Sequence, residues 1–424
     1  MTGNIRRTSS DDMTRISDAT RITRAGGRHA VSWMAVPASP APESPAPPPV
    51  SPASPASSSS ATPPGSPLRV SPTSTASSLS PASSLSPAPS LSPAPSLSPA
   101  PSLSPASDAS MDRFRHAFSA LVDNVSRIVV GKARPIALCV TALLAGGHVL
   151  LVDDPGTGKT QLARGIARSI QAPCKRIQFT PDLLPSDVVG VTFYDQQHAE
   201  FRFREGPAFS SIVLADEINR APPKTQSALL EVMEERHITV DGVTRAVPQP
   251  FMVIATQNPI EQLGTYRLPE AQLDRFLIST SIGHPGHEAS LDILRQADVG
   301  DRAATVSPVL TGQRILELRA VAERVHMDDS LLEYIVRIVE ATRRSELIAS
   351  GASIRGALAL TRCARVRAAA DGRDYAVPDD IRDLAVAVLA HRVTLAETAS
   401  FAGQRADRVI EQVLDDVPTP TGRS

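Results

Sequence analysis

Hydrophobic positions along this chain fall into two regimes. From about Ala38 to Ser110 large apolar residues are sparse and proline, alanine and serine dominate. After Met111 short apolar runs alternate with amphipathic stretches. HVLLV (148–152), RIQFT (176–180), SSIVLAD (210–216), FMVIATQ (251–257) and FLISTSIG (276–283) read as strands. Stretches of helical period, such as TQLARGIARSI, lie between most of them. That alternation predicts a parallel sheet with helices on both faces, whose ligands bind beyond the carboxyl ends of the strands. From about Ser307 the strand signal stops. LLEYIVRIVEAT places Leu331, Tyr334, Ile335, Ile338 and Thr342 on one helical face. Two more helices are expected in GASIRGALALTRCARVRAAADG, closed by Gly372, and in VPDDIRDLAVAVLAHRV. The expected organisation is an extension over 1–110, an α/β domain over 111–305, an all-helical domain over 306–395, and a C-terminal helix and tail over 396–424.

Two further stretches alternate with period two around a polar tip. GVTFYDQQHAEFRFREGP sets Val191, Phe193, Phe201 and Phe203 on its arms, and HITVDGVTRAVP centres on Asp241–Gly242. Both predict hairpins, either inserted for a purpose of their own or simply extending the sheet.

Composition changes the picture mainly at the front. SLSPAP repeats there, with Leu79, Leu85, Leu91, Leu97 and Leu103 at every sixth position. Prolines at that density exclude helix and interrupt ladders, so a disordered, solvated linker of polyproline character is expected. A ligand for proline-binding modules is the alternative. Met111 opens the amphipathic MDRFRHAFSALVDNVSRIVVG and is a candidate start of the folded protein. HAVSWMAVPA, from His29, has too short an apolar stretch for an export signal, and no apolar run is long enough to cross a bilayer. Formal net charge is −1, which gives no global argument for nucleic acid or an acidic membrane surface. Cys139, Cys174 and Cys363 are widely spaced and odd in number, which argues against a disulfide framework or a zinc site. They read as small core residues in a reducing, cytoplasmic compartment.

The chemistry begins at DDPGTGKT (153–160), between a strand and a helix. Gly156 and Gly158 let the backbone turn its N–H groups inward around phosphate oxygens, and the following helix adds its positive end. Pro155, Gly156, Thr157, Gly158, Lys159 and Thr160 are therefore the candidate nucleotide loop. Lys159 would reach the β- and γ-phosphates, and the Thr160 hydroxyl would ligate Mg²⁺. Asp153 stands where the phosphate-loop pattern has glycine. That glycine eases a turn without touching phosphate, and Pro155 and Gly156 supply turn chemistry, so binding is expected to survive.

SIVLADEINR ends an apolar strand in two acids. Asp216 would hold Mg²⁺, and Glu217 would orient and deprotonate the attacking water. Asn258 ends the next strand, where it would position that water; it is equally the residue a turn before Pro259 would use. Arg275, in LPEAQLDRF, has no obvious phosphate within its own subunit and would serve a neighbour's site in a ring, unless it is a plain surface arginine. Arg355 opens a helix of the second domain. It either contacts the γ-phosphate and couples hydrolysis to motion of that domain, or is solvated.

With these motifs the chain resembles the MoxR family of AAA+ ATPases. The resemblance runs from about Arg127 to Pro420. It rests on GGHVLLVDDPGTGKTQLARGIA, RIQFTPDLLPSDVVG, VLADEINRAPPKTQSALLEVMEE, ATQNPIEQLGTYRLPEAQLDRF and GASIRGAL. It implies a P-loop NTPase sheet followed by a small helical lid. It makes Gly156, Gly158, Lys159 and Thr160 the Walker A residues, Asp216 and Glu217 Walker B, Asn258 sensor 1, Arg275 the arginine finger and Arg355 sensor 2. It implies ATP and Mg²⁺, a homo-oligomeric ring that is usually hexameric, and hairpins at a central pore. It further implies chaperone-like remodelling, maturation or metal loading of client complexes, often beside a partner with a von Willebrand factor A domain. Three features depart from the family pattern: Ile354 in place of a proline before the sensor 2 arginine, HPGHEAS (284–290), and the proline-rich front. Two other readings stand beside this one. One is a nucleotide-gated scaffold in which hydrolysis is incidental. The other is a DNA-acting motor, which no basic stretch or helix-turn-helix signature supports.

Overall fold

The computed structural model describes residues 108–258, 265–295 and 305–420. The linker, its repeats and the signal-like stretch lie outside the described residues; only 108–110 of the extension are described, and they open the first helix. In chain order the first elements are α1 (Asp108–Ser126), α2 (Ala133–Leu144), β1 (Val149–Val152), α3 (Lys159–Ser169), β2 (Cys174–Gln178) and α4 (Pro185–Val189). The hairpin β3 (Gly190–Asp195) and β4 (Glu200–Glu205) follows, then β5 (Ile212–Asp216) and α5 (Pro223–Glu235). A second hairpin, β6 (His237–Val240) and β7 (Val243–Ala246), precedes β8 (Met252–Gln257), α6 (Glu270–Leu273), β9 (Ile278–Thr280) and α7 (His287–Arg295).

Five strands form one parallel sheet in the order β2-β5-β8-β1-β9. Alternating side chains sort its two faces. Val149 and Leu151, Ile212 and Leu214, and Met252 and Ile254 join one hydrophobic cluster. Leu150, Val213, Ala215, Val253 and Ala255 join the other. Apolar runs in place of polar–apolar alternation are what a sheet covered on both faces requires. The second face is covered by α5, through Leu229, Leu230 and Met233, and by Ile238 of the second hairpin.

The first cluster continues without a break through α1, α2 and α3 into the helical domain. That domain holds α8 (Gly312–Glu323), α9 (Asp329–Arg344), β10 (Ile348–Ser350), α10 (Ile354–Ala370), α11 (Pro378–Leu389) and β11 (Thr394–Leu395). The C-terminal stretch that follows forms α12 (Glu397–Phe401) and α13 (Ala406–Asp416), the latter joining the same cluster through Val409, Ile410, Val413 and Leu414. The helices at Leu331–Thr342 and after Gly351 stand where their periodicity predicts. One feature of the helical domain was not expected: β10 and β11 pair as a short antiparallel ribbon. Two and three residues are too few for a periodic signal, and the ribbon follows from packing of the helices on either side.

Cys139 and Cys363 are buried free thiols and Cys174 is half-buried and free. Burial pushes the thiols of Cys139 and Cys363 up to about 12 and that of Cys174 up to about 11, so they act as core filling. No described helix is long and apolar enough to cross a membrane.

Candidate functional site

β1 delivers the loop. Val152 ends the strand, and α3 begins at Lys159 with Gly158 as its N-cap. Gly156 and Gly158 take φ values of 84° and 92°, the left-handed region that costs an L side chain strain. Nothing lies within 4 Å of where a Cβ on either would stand. The two glycines thus serve backbone shape and leave the space over the loop open. Lys159 Nζ donates to the carbonyls of Asp153 (3.1 Å) and Asp154 (2.8 Å). Thr157 Oγ1 donates to the carbonyl of Asp154.

Asp153 has a defined task. Its carboxylate is buried and accepts from Ser281 Oγ (2.7 Å), the Ile282 amide (2.7 Å) and the Gly283 amide (2.8 Å). It therefore ties the phosphate loop to the chain leaving β9, the outer neighbour of β1. The side chain faces away from the loop's interior, which is how an acid is accommodated there.

At the same end of the sheet, Asp216 is the last residue of β5. Its Oδ1 accepts from Thr256 Oγ1 (2.6 Å), and its Oδ2 accepts from Arg176 Nη2 (2.6 Å) and Nε (3.1 Å). Glu217 follows with φ 56°, a strained turn that projects its carboxylate from the strand tip. Its Oε2 accepts from Gln178 Nε2 (2.8 Å) and from Arg220 Nη1 (3.0 Å), and its amide donates to Thr256 Oγ1 (2.8 Å). Thr256 therefore touches both acids. Asn258, buried just past β8, completes the edge. Sequence reasoning missed Arg176, Gln178, Thr256 and Arg220. The available signal was register: Gln178 lies opposite Asp216 across the β2–β5 pair, with Arg176 two residues back on the same face.

The two arginines stand elsewhere. Arg275 lies just before β9, and Leu277 donates to the carbonyl of His148, just before β1. Both mark the amino edge of the sheet, one strand length of roughly 13 Å from the loop at about 3.3 Å per residue. Arg275 Nη2 pairs with Glu234 Oε2 (2.8 Å), and Arg355 Nη2 pairs with Glu234 Oε1 (2.7 Å). Glu234 belongs to the last turn of α5, which returns from the tip of β5 to the amino edge. Arg355, expected at a γ-phosphate, thus lies beside the candidate finger and away from its own loop. Ser353 caps this helix, accepting from the Arg355 amide, and Ile354, which stands in place of the proline, is exposed. A cavity of about 250 Å³ opens here, lined among others by Gly147, His148, Glu234, Arg275 and Arg355.

Arg392 locks the lid to this segment. Its side chain is 3% exposed; Nε pairs with Asp274 Oδ1 (2.8 Å) and Nη2 donates to the carbonyls of Asp274 (3.2 Å) and Phe276 (2.6 Å). Asp274 Oδ2 accepts from Ser353 Oγ (2.8 Å). Asp274 therefore joins the backbone of Arg275 to the cap of the Arg355 helix.

A family model described as "ATPase family associated with various cellular activities (AAA)" matches residues 148–278, and one described as "AAA lid domain" matches 340–413. Chaperone MoxR1 of Mycobacterium tuberculosis is 40% identical over 314 residues, covering 72% of this chain and 83% of that protein. The chain belongs to the MoxR family of AAA+ ATPases. An uncharacterised protein of Bacillus subtilis, YeaC, is 48% identical over 303 residues, covering 72% of this chain and 95% of its own. A solved structure of a candidate ATPase from Cytophaga hutchinsonii superposes with a TM-score of 0.70 at 36% identity, covering 74% of this chain and 98% of its own. The loop after β1 and the acids at the end of β5 fall within residues 148–278, and the start of α10 with Arg355 falls within 340–413.

Proposed function

We propose that this chain hydrolyses ATP in a site completed by a second copy of itself, and that the resulting motion remodels a client protein. One observation carries the reading: loop and acids share the carboxyl edge of the sheet, whereas Arg275 and Arg355 share Glu234 at the amino edge. No rotamer of Arg275 spans a strand length, so the pair serves a nucleotide held by the adjoining copy. That arrangement supports a closed ring, with a hexamer as its expected form.

In that site the amides of 156–160 and Lys159 Nζ grip the triphosphate, Lys159 giving up its two carbonyl partners to do so. Asp216 and Thr160 are the Mg²⁺ candidates. Their hard oxygen donors suit this ion, which usually takes only one or two protein carboxylates and completes its shell with water and phosphate. When bound, Mg²⁺ supplies charge neutralisation at the phosphates. Glu217 accepts the proton of the attacking water. Gln178 and Arg220, both on Oε2, fix the carboxylate's direction. Asn258 orients the same water. Arg275 and Arg355 of the neighbour leave Glu234 and stabilise charge at the cleaved phosphate.

The hairpins β3–β4 and β6–β7 are the proposed client contacts at a central pore. Phe193, Tyr194 and Phe201 are exposed on the first, and Arg245 of the second stacks over Phe203 of the first at 3.9 Å. Clients undergoing maturation or metal loading, a partner with a von Willebrand factor A domain and a cytoplasmic location belong to the same proposal. The test is Glu217→Gln. It should retain ATP with Mg²⁺ while turnover falls about 10²–10⁴-fold, the usual contribution of a positioned base. Turnover near that of the parent protein contradicts the assignment.

A further inference from the structure

Four arginines meet where the lid rests on the amino edge of the ATPase sheet. Arg319 comes from α8, Arg362 and Arg365 from α10, and Arg236 closes α5. They line a cavity of about 130 Å³ that is separate from the phosphate loop. Arg319 Cζ and Arg236 Nη2 each stand within 3.8 Å of one point, the place a Cβ on Gly146 would occupy. Two guanidinium groups thus face the same glycine.

Their charge has no adequate counterpart. Glu323 is the single carboxylate among the lining residues, and it is exposed. None of the four arginines is ion-paired among the described residues. Arg319 Nε donates to the carbonyl of Leu143 (2.9 Å) and Arg236 Nη2 to that of Gly146 (3.3 Å). Arg319 Nη2 and Arg365 Nε are buried and have no acceptor at all. Burial, and then the charge of Arg236, lower the Arg319 pKa to about 10, with Glu323 offsetting only part of this, so Arg319 remains protonated at neutral pH beside a like charge. Arg236 and Arg362 are exposed and Arg319 and Arg365 half-buried, so it is the two buried donors that forgo hydration without replacement, which is rare. Something that accepts several hydrogen bonds and carries negative charge answers every one of these features.

We propose that this cavity binds a phosphate-class oxyanion, with Arg319 and Arg365 as its floor and Arg236 and Arg362 as its rim. Guanidinium forks match tetrahedral oxyanions in geometry and charge. The cavity's volume suits one phosphate group, whether free or carried by a small metabolite. Arg236, Arg362 and Gly146 also border the cavity of Arg275 and Arg355, so a bound anion lies next to the arginine pair without using it. The proposal stands apart from the hydrolytic reading, because neither the loop nor the acids take part.

The test is calorimetry of inorganic phosphate binding to the full chain, saturated with ADP and Mg²⁺ to block the loop, in buffer of matched chloride ionic strength. One phosphate per chain is expected, and at about ten times Kd it should raise Tm by roughly 2–4 °C. Lys159→Ala and Arg275→Ala should keep this binding. Arg319→Gln and Arg365→Gln should each weaken it about tenfold or more, as loss of a charged hydrogen bond does. Arg365→Gln removes no hydrogen bond present among the described residues, and its Tm in chloride alone should not fall. Phosphate heat indistinguishable from chloride overturns the proposal. So does binding that survives both floor variants, or binding lost in Lys159→Ala. Competition by a phosphorylated metabolite but not by its dephosphorylated form would identify a carried phosphate; no competition leaves free phosphate as the ligand.

Discussion

Arg275 and Arg355 reach opposite oxygens of one carboxylate, at 2.8 and 2.7 Å from Glu234. On the proposed reading the two arginines leave the same acid and reach the neighbouring copy's nucleotide together. Losing either should therefore cost nearly as much as losing both. Arg275→Ala is expected to lower kcat about 10³-fold, as removal of a finger does, with ATP affinity of the protomer's own loop retained. The double variant with Arg355→Ala should fall well short of the product of the two single losses. Steady-state kinetics beside nucleotide-binding titrations check this, and multiplicative losses would separate the two roles.

Asp153 gives a second expectation, because restoring the phosphate-loop glycine should harm the protein. Asp153→Gly strands two backbone amides and the Ser281 hydroxyl that now donate to the carboxylate. Unsatisfied buried donors cost about 1–3 kcal/mol each, so a loss of about 2–4 kcal/mol is expected after partial relaxation. Urea unfolding measures it, and a variant at least as stable as the parent would contradict the role given to Asp153.

Arg392 is buried against Asp274 and three carbonyls of the 274–277 segment. Arg392→Ala takes the charge partner from the half-buried Asp274 and the donor from three carbonyls, and should cost about 3–5 kcal/mol. Arg392→Lys should recover little of this, since an ammonium cannot reproduce the planar fork. Thermal unfolding of the two variants decides between a clamp and simple space filling.

Acid stability follows from His148. Burial lowers its pKa to about 4, and the Val253 amide donates to Nδ1, the atom that would take the proton. The unfolded ring titrates near 6.5. Between those values the unfolded chain binds the extra proton, so stability is full above about pH 6.5 and is lost as pH falls toward 4. At pH 5 the loss is about 2 kcal/mol. His391, lowered to about 3 by burial and the Arg392 charge, acts in the same direction. Urea midpoints at pH 7 and pH 5 should show a shallower pH dependence in His148→Gln than in the parent; equal slopes would remove His148 from the account.

Much of this was legible in the chain because local pattern and tertiary role agree. The five strands stand within three residues of their apolar runs, since a doubly covered sheet needs such runs. Gly156–Thr160 and Asp216–Glu217 were readable because each motif ends a strand. The address of Arg355 was not readable. Where a lid helix rests is decided by packing between elements far apart in sequence, here through Asp274, Arg392 and Glu234. The same holds for Thr256, whose hydroxyl sits between two acids only because β8 lies beside β5. Asp153 was visible as an exception to a motif, but its partners at Ser281–Gly283 emerge only once β9 is placed against β1.

The central claim is that loop and acids of one copy work with the arginines of the next. Mixing two inactive variants tests it most directly. Glu217→Gln lacks the proposed base but presents its arginines, and Arg275→Ala lacks the proposed finger but keeps that base. Co-assembled rings should regain turnover that neither variant has alone, rising with the fraction of mixed interfaces. No recovery in rings shown to be mixed, or full activity of Arg275→Ala by itself, would contradict the shared site.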